Sequence, residues 1–395
     1  MDRVPTLRIT PLADLRTRPR SYDVVVIGCG LAGAATAYYL AGRGAAVVLV
    51  EREGIGSQAS GHNAGGINPL HGGVDGPLGR LAMDSFRLHR ALWGPLQDES
   101  GVDLRARPVS RIELALSADR VTRLQRSADR YQGAEGFSAQ WLSVEELCRL
   151  EPRVARHVHG GLHTRGNFSL DSARLNIALV QAAQRRCATI VADAAVGLTT
   201  SGDRVTGVQL AGGRLSCSDI VFATGPWSQE AQEWLRFPVP VEPLRGQMLR
   251  AVLPRGPLAH DVSAGIDALY GRGDEGTWIG GTEERCGFDR RPTAAARRTL
   301  IEGAARLLPE AADARVLDQF AALRPVTKDG LPIVGKVPGW SNAYLATGAG
   351  RKGVLFSTGI GHAVADLICD GATRISVAAC DPLRFGEARH REARS

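Results

Sequence analysis

The chain has 395 residues, 44% of them hydrophobic and 23% charged, which suits a folded α/β protein of two domains and excludes a disordered or fibrous one. Its net charge of +7 is swollen by five arginines in the first twenty residues and by a basic tail. No basic stripe interleaved with aromatics accompanies that charge, which argues against a nucleic-acid partner. No apolar run of about 18 residues is present, so no transmembrane segment is expected. The seven cysteines are scattered and never form C-x-x-C, so neither a disulfide framework nor a metal site is expected, and a reducing, cytoplasmic setting is.

In chain order, a polar leader gives way to YDVVVIG, a β-branched run of the kind buried on both faces of a sheet. LAGAATAYYLAGRG then reads as a helix and AAVVLVERE as a second buried strand, a βαβ unit. Residues 77–165 mix amphipathic helices with short strands such as RIELAL. From about Leu170 a helix, DSARLNIALVQAAQRRC, leads to a β-rich stretch and to SDIVFATGPWS, a strand entering a glycine turn. Residues 237–318 alternate strands with Pro-rich turns, and the last segment returns to strand, glycine loop and helix. The expected fold is α/β: a Rossmann-type nucleotide-binding domain with a parallel sheet, assembled from 21–76, 166–236 and 319–380. A second, α+β domain on a large mixed or antiparallel sheet takes 77–165 and 237–318. Residues 1–20 and 385–395 are expected to be flexible basic termini.

The pattern G-x-G-x-x-G occurs twice, at Gly28, Gly30 and Gly33 and again at Gly348, Gly350 and Gly353. The first follows a strand and opens a helix. There the glycines permit a tight turn, a close approach of backbone to pyrophosphate and close helix–strand packing, while the helix N-terminus offers unpaired N–H groups. Glu51, ending the second strand, is placed to hydrogen-bond a ribose hydroxyl. The second copy has no further strand and acid behind it, because the chain ends too soon for another nucleotide fold. It still opens a helix, so it favours negative charge.

After Glu51 comes REGIGSQASGHNAGGINP, whose small residues let backbone approach a flat ring system. With this loop the sequence resembles the D-amino-acid oxidase-like family of flavoproteins, especially its glycine oxidase branch. Further blocks carry the resemblance in the same order: ATGPWS (Ala223–Ser228), IGGTEERCGFD (Ile279–Asp289), RPVTKDGLPIVG (Arg324–Gly335) and GAGRKGVL after the strand NAYLAT. The resemblance implies FAD, bound non-covalently, with both glycine loops at opposite ends of one site. The implied FAD-binding set is Gly28, Gly30, Leu31, Ala32, Gly33, Glu51, Arg52, Ser60, Asn63, Ala64, Gly65, Gly66, Ile67, Val196, Thr224, Gly225, Trp227, Gly350, Arg351, Lys352, Gly353 and Val354. Relatives that bond FAD covalently carry HAAG where this chain has HNAG at His62, but their flanking GSTW is absent.

The activity so implied is oxidation of a small amino acid or secondary amine (glycine, sarcosine or a D-amino acid) by hydride transfer to flavin, giving an imine that hydrolyses to a keto acid. Such a reaction needs an anchor more than a base, and for a carboxylate the anchor is an arginine fork. By resemblance Arg324 is that anchor, Arg351 lies beside the flavin or adds to the anchor, and Tyr270 lines the substrate; Arg245 sits in a block used near the same sheet. SGHNAGG at Ser60–Gly66 also resembles the loop of L-2-hydroxyglutarate oxidases, so a 2-hydroxy-acid substrate, with His62 as base, is the alternative. Oxygen or a quinone would take the electrons, and a homo- or hetero-oligomer is compatible with the chain.

Overall fold

A computed structural model describes residues 7–10, 21–72 and 76–386. Two sheets dominate it. The first has the strand order Ile333–Lys336, Ala343–Thr347, Gly213–Phe222, Ser21–Ile27, Val47–Glu51, Thr189–Ala192, with Arg204–Leu210 and Ala195–Ser201 attached to the strand 213–222. Pairing is parallel from 343–347 through to 189–192, so the β-branched runs form a sheet covered on both faces. Helices Leu31–Ala41, Pro77–Ser100, Ser172–Arg185 and Gly353–Cys369 supply the apolar residues packed on one face; a second core, from Val25 to Leu345, fills the other.

The second sheet runs Arg315–Thr327, Val241–Val252, Thr277–Gly280, Asp267–Gly271, Asp261–Ala264, Arg107–Leu114, Gly161–Ser169, Gly66–Ile67, with Ser138–Leu142 beside 161–169. It is mixed, with one parallel pairing, between 261–264 and 107–114. Alternation along its strands separates two faces. Leu249, Leu269, Ile279, Val262 and Ile112 form a core under helix Ala294–Leu307. Met248, Trp278, Tyr270, Phe320 and Arg324 fall on the other face by register. The expected seams at 165/166 and 318/319 lie inside strands 161–169 and 315–327, and Gly66–Ile67 also joins the second sheet; composition changes along the chain do not register such shared strands.

Of the expected flexible termini, 1–6, 11–20 and 387–395 lie outside the described residues. Residues 7–10 do not fit that expectation. Thr10 N donates to Ile190 O at 2.9 Å, and Leu7 packs against the main core, so the leader docks at the edge of the first sheet. Among the described residues, no helix is long and apolar enough to cross a membrane.

Helix 353–369 is braced by a buried histidine. His89 Nε2 lies 2.9 Å from Val354 O and 3.1 Å from Leu355 O, and its Nδ1 has no partner. Protonation would bury an N–H without an acceptor, and burial pushes the imidazole down to about 4. The unfolded chain therefore takes up this proton first, so stability is full above about pH 6.5 and falls as pH drops toward 4, by at most about 3 kcal/mol. The thermal midpoint is expected to fall across that window, and His89→Gln to flatten the fall; an unaltered pH profile in the variant would rule out His89 as its source.

Candidate active site

The first glycine loop is built as its spacing demands. Gly28 has φ +101°, and a Cβ there would lie 2.4 Å from Ala223 O; a Cβ on Gly33 would lie 2.0 Å from Gly28 O. Helix 31–41 starts at Gly30 without a side-chain cap or an acid in its first turn. Leu31 N donates to Ser60 Oγ at 3.0 Å, which leaves the next amides, of Ala32 and Gly33, for an anion. The Leu31 side chain is buried in the core, so its part in binding is confined to its backbone. Glu51 is held by three backbone donors: Cys29 N at 2.8 Å on Oε2, Glu53 N at 2.8 Å and Gly54 N at 3.3 Å on Oε1.

These residues line a cleft of about 910 Å³, part of it open to solvent, with Arg52, Ser60, Thr224, Gly225 and Trp227 among its walls. Val196 is not among them. It is 53% exposed, at a register shift between Ala195 and Gly197 that turns its side chain outward, while Asp193 and Ala195 line the cleft. Trp227 and Glu53 of its wall are gripped from segment 288–290, a clasp that local sequence did not announce. Phe288 stacks on Trp227 (centroids 5.7 Å, planes 18°), Arg52 sits 4.6 Å above the same indole, and Arg290 pairs with Glu53 at 2.5 Å. Phe288→Ala is expected to speed FAD dissociation roughly 2- to 10-fold, the worth of one aromatic pair. Tryptophan fluorescence recovery on dilution measures it, and an unchanged rate would rule out the clasp.

The loop after Glu51 is set by its own backbone. Asn63 Nδ2 donates to Ala59 O and Ser60 O, and its Oδ1 accepts from Gly65 N at 2.7 Å, so its side chain shapes the loop. Arg272 donates to Ala64 O, Gly66 and Ile67 pair with Ser169 and Phe168, and the Ile67 side chain is wholly buried. His62 packs on Phe320 at 5.5 Å, and Phe320 meets Trp278 edge-on at 5.3 Å. This contact brings the loop against the sheet face that carries Arg324.

The Arg324 guanidinium lies over Gly246 of the neighbouring strand, where a Cβ would come within 2.3 Å of it. Its Nη1 donates to Thr282 O at 2.9 Å. Burial lowers its pKa, with Glu283 opposing and Tyr270 close enough to contribute. Glu283 is itself gripped by the fork of Arg351, whose charge is thereby matched within the chain. The structure thus brings Arg324, Arg351 and Tyr270 together, and adds Glu283, Met248, Trp278 and Phe320, which no motif singled out. Strand alternation in RGQMLR, TWIG and DQFAALR was the signal for the last three. Arg245 lies in the same sheet, as its block suggested, but away from Arg324. It is one residue out of phase with Gly246, turns to the opposite face and pairs with Glu284 at 2.6 Å and Asp289 at 3.1 Å, a structural role.

At the other glycine loop, Gly350 has φ +55° and helix 353–369 begins at Lys352 with neither a side-chain cap nor an acid in its first turn. Val354 is partly buried against the main core. Two uncapped helix starts, a held acid at the end of the second strand and a loop pressed on a second sheet define a dinucleotide-dependent oxidoreductase of the two-sheet kind.

The family described as FAD dependent oxidoreductase (DAO) matches residues 23–367, and the chain belongs to it. It is 31% identical over 351 residues to a glycine oxidase of Pseudomonas aeruginosa, covering 88% of this chain and 95% of that protein. It is 27% identical to a D-amino acid dehydrogenase of Paramagnetospirillum magneticum, over 90% and 96% of the two chains. The crystal structure of glycine oxidase from Geobacillus kaustophilus superposes with a TM-score of 0.87 at 28% identity, covering 92% of this chain and 98% of that one.

Proposed function

We propose that the chain oxidises a small amino acid or secondary amine, of the glycine, sarcosine or D-amino acid type, at a C–N bond. One observation carries this reading. Arg324 is half-buried on the face opposed to the flavin loop, and among the described residues its fork meets one backbone carbonyl, while Arg351 holds the nearby Glu283. A carboxylate completes such a fork through two parallel hydrogen bonds. The relatives named glycine oxidase and D-amino acid dehydrogenase support the same substrate class.

The residues present fit FAD. The cleft with Glu51 and the Ala32 and Gly33 amides suits its nucleotide end, and the uncapped start of helix 353–369 suits its electron-rich end. Bound FAD supplies the hydride acceptor. Arg324 fixes the carboxylate and thereby turns the α C–H toward the loop 60–67 side of the site. Met248, Trp278 and Phe320 keep water from that face, and Tyr270 walls it. The imine product leaves and is hydrolysed by water, and the electrons pass on to oxygen or a quinone.

Anaerobic bleaching of the flavin band with glycine, sarcosine, D-alanine, D-proline and L-2-hydroxyglutarate tests the reading. Rapid bleaching by one or more of the amines is expected, and colour returning with air would identify oxygen as acceptor. Bleaching by the hydroxy acid alone would replace the amine by a hydroxyl substrate.

A further inference from the structure

Beyond Tyr270, on the same face of the second sheet, lies a group of cations that the anchor does not use. The strand of Tyr270 stands between that of Arg324, at the sheet edge, and that of Arg111, on 107–114. Arg111 is 7% exposed. Its Nη2 donates to Ser263 Oγ at 2.8 Å, its Nε is buried without a partner, and its guanidinium lies 6.0 Å from the Tyr270 ring centroid. Lys352, from the start of helix 353–369, reaches into the same region, and among the described residues its Nζ finds Asn68 O, at 3.5 Å.

The neighbouring carboxylates are already engaged. Asp261 faces Arg272 at 3.4 Å and accepts from Gly271 N at 3.1 Å. Glu113 holds Arg120 at 2.5 Å and His71 Nδ1 at 3.2 Å. Among the described residues, neither Arg111 nor Lys352 has a carboxylate at ion-pair distance. Arg111, buried, and Lys352, half-buried and near enough to feel its charge, thus lack an ion-paired carboxylate among the described residues, which is costly, and an anion that completes them removes that cost. Burial and then Arg111 push the Lys352 ammonium down to about 7, with Glu113 opposing, and an anion bound beside it would favour its charged form.

We propose that the substrate carries a second anionic group, a dicarboxylic amine, and that Arg111 and Lys352 receive it while Arg324 holds the first carboxylate. This inference rests on the amine reading above. It narrows the substrate to amines such as iminodiacetate, D-aspartate or D-glutamate, over sarcosine or D-alanine. Tyr270 then stands between the two anion sites, its ring 6.0 Å from Arg111 and its hydroxyl close enough to Arg324 to act on that charge.

The test uses the FAD-loaded enzyme in two arms. In the first, anaerobic bleaching compares sarcosine with iminodiacetate, and D-alanine with D-aspartate and D-glutamate. At least one dicarboxylic member should half-saturate at a concentration roughly tenfold or more below its monocarboxylic partner, the worth of one charge-assisted contact. Arg111→Met and Lys352→Met should each shrink that ratio about tenfold. In the second arm, succinate and glutarate should perturb the flavin spectrum at lower concentration than acetate and propionate.

Equal saturation by both members of every pair would overturn the proposal and leave the amine reading standing. Variants that shift the flavin potential but keep the ratio would overturn it too, assigning the two cations to the cofactor's own charge. Tight dicarboxylate binding with no amine able to bleach the flavin would keep the second anion site and discard the amine reading. Should Arg111→Met lose its fold, the ratio in Lys352→Met decides.

Discussion

Arg324→Ala is expected to raise the half-saturating concentration of the best amine substrate roughly 100- to 1,000-fold, the loss of a two-bond charged contact in a half-buried site. Flavin content and the visible spectrum should hold, since the side chain meets Thr282 O and not the nucleotide cleft. Arg324→Lys should recover little of the loss, because a point charge cannot reproduce a planar fork. A second route to the same defect leaves Arg324 in place. A Cβ at position 246 would stand 2.3 Å from Nη1 and 2.4 Å from the guanidinium carbon, and the flexible arginine, not the strand, will yield. Gly246→Ala should therefore weaken substrate roughly 10- to 100-fold by displacing the anchor, a smaller effect than deleting it. Half-saturation in anaerobic reduction measures all three variants. If Arg324→Ala saturates as the parent does, the carboxylate is held elsewhere and the proposed chemistry loses its anchor.

What the sequence disclosed and what it withheld divide along sequence separation. The βαβ start, Gly28 to Gly33, Glu51 and the small-residue loop are all legible, because strand, turn and helix signals each act over a few residues. Gly246 beneath Arg324 is not legible. The pairing of Leu244 with Arg324 spans eighty residues of chain, and only the register between strands 241–252 and 315–327 puts the glycine under the guanidinium. The same holds for Glu283 on Arg351 and Phe288 on Trp227, contacts between segments whose local patterns say nothing of one another. Arg245 shows the converse. Its family block was legible, but one step of strand alternation turns it away from the site and into a pair with Glu284. The Val196 side chain misses the cleft for a different reason, a register shift between Ala195 and Gly197, while Asp193 and Ala195 line it.

Gly33→Ala is expected to yield protein with less than about a tenth of the normal flavin. The position tests whether the first glycine loop binds through its backbone, since a methyl group removes no donor and adds no charge. It would stand 2.0 Å from Gly28 O, 3.2 Å from Gly28 C and 3.2 Å from Ala223 Cβ, so helix 31–41 must move off the turn. The first contact is backbone, which cannot swing aside as a side chain would. Overpacking of this kind costs about 1–3 kcal/mol in strain, and displaced amides lose charge-assisted bonds to phosphate worth about 1.5–3 kcal/mol each. Together these weaken FAD by roughly 100-fold or more. The thermal midpoint should then no longer rise when FAD is added at concentrations that protect the parent. Gly94→Ala is the control: it lies inside helix 77–100, beyond its chain neighbours a Cβ there meets nothing within 4 Å, and it should keep its flavin. Full flavin content in Gly33→Ala would mean that the helix start is not what holds the pyrophosphate, and that the cleft binds through Glu51 and the Trp227 wall alone.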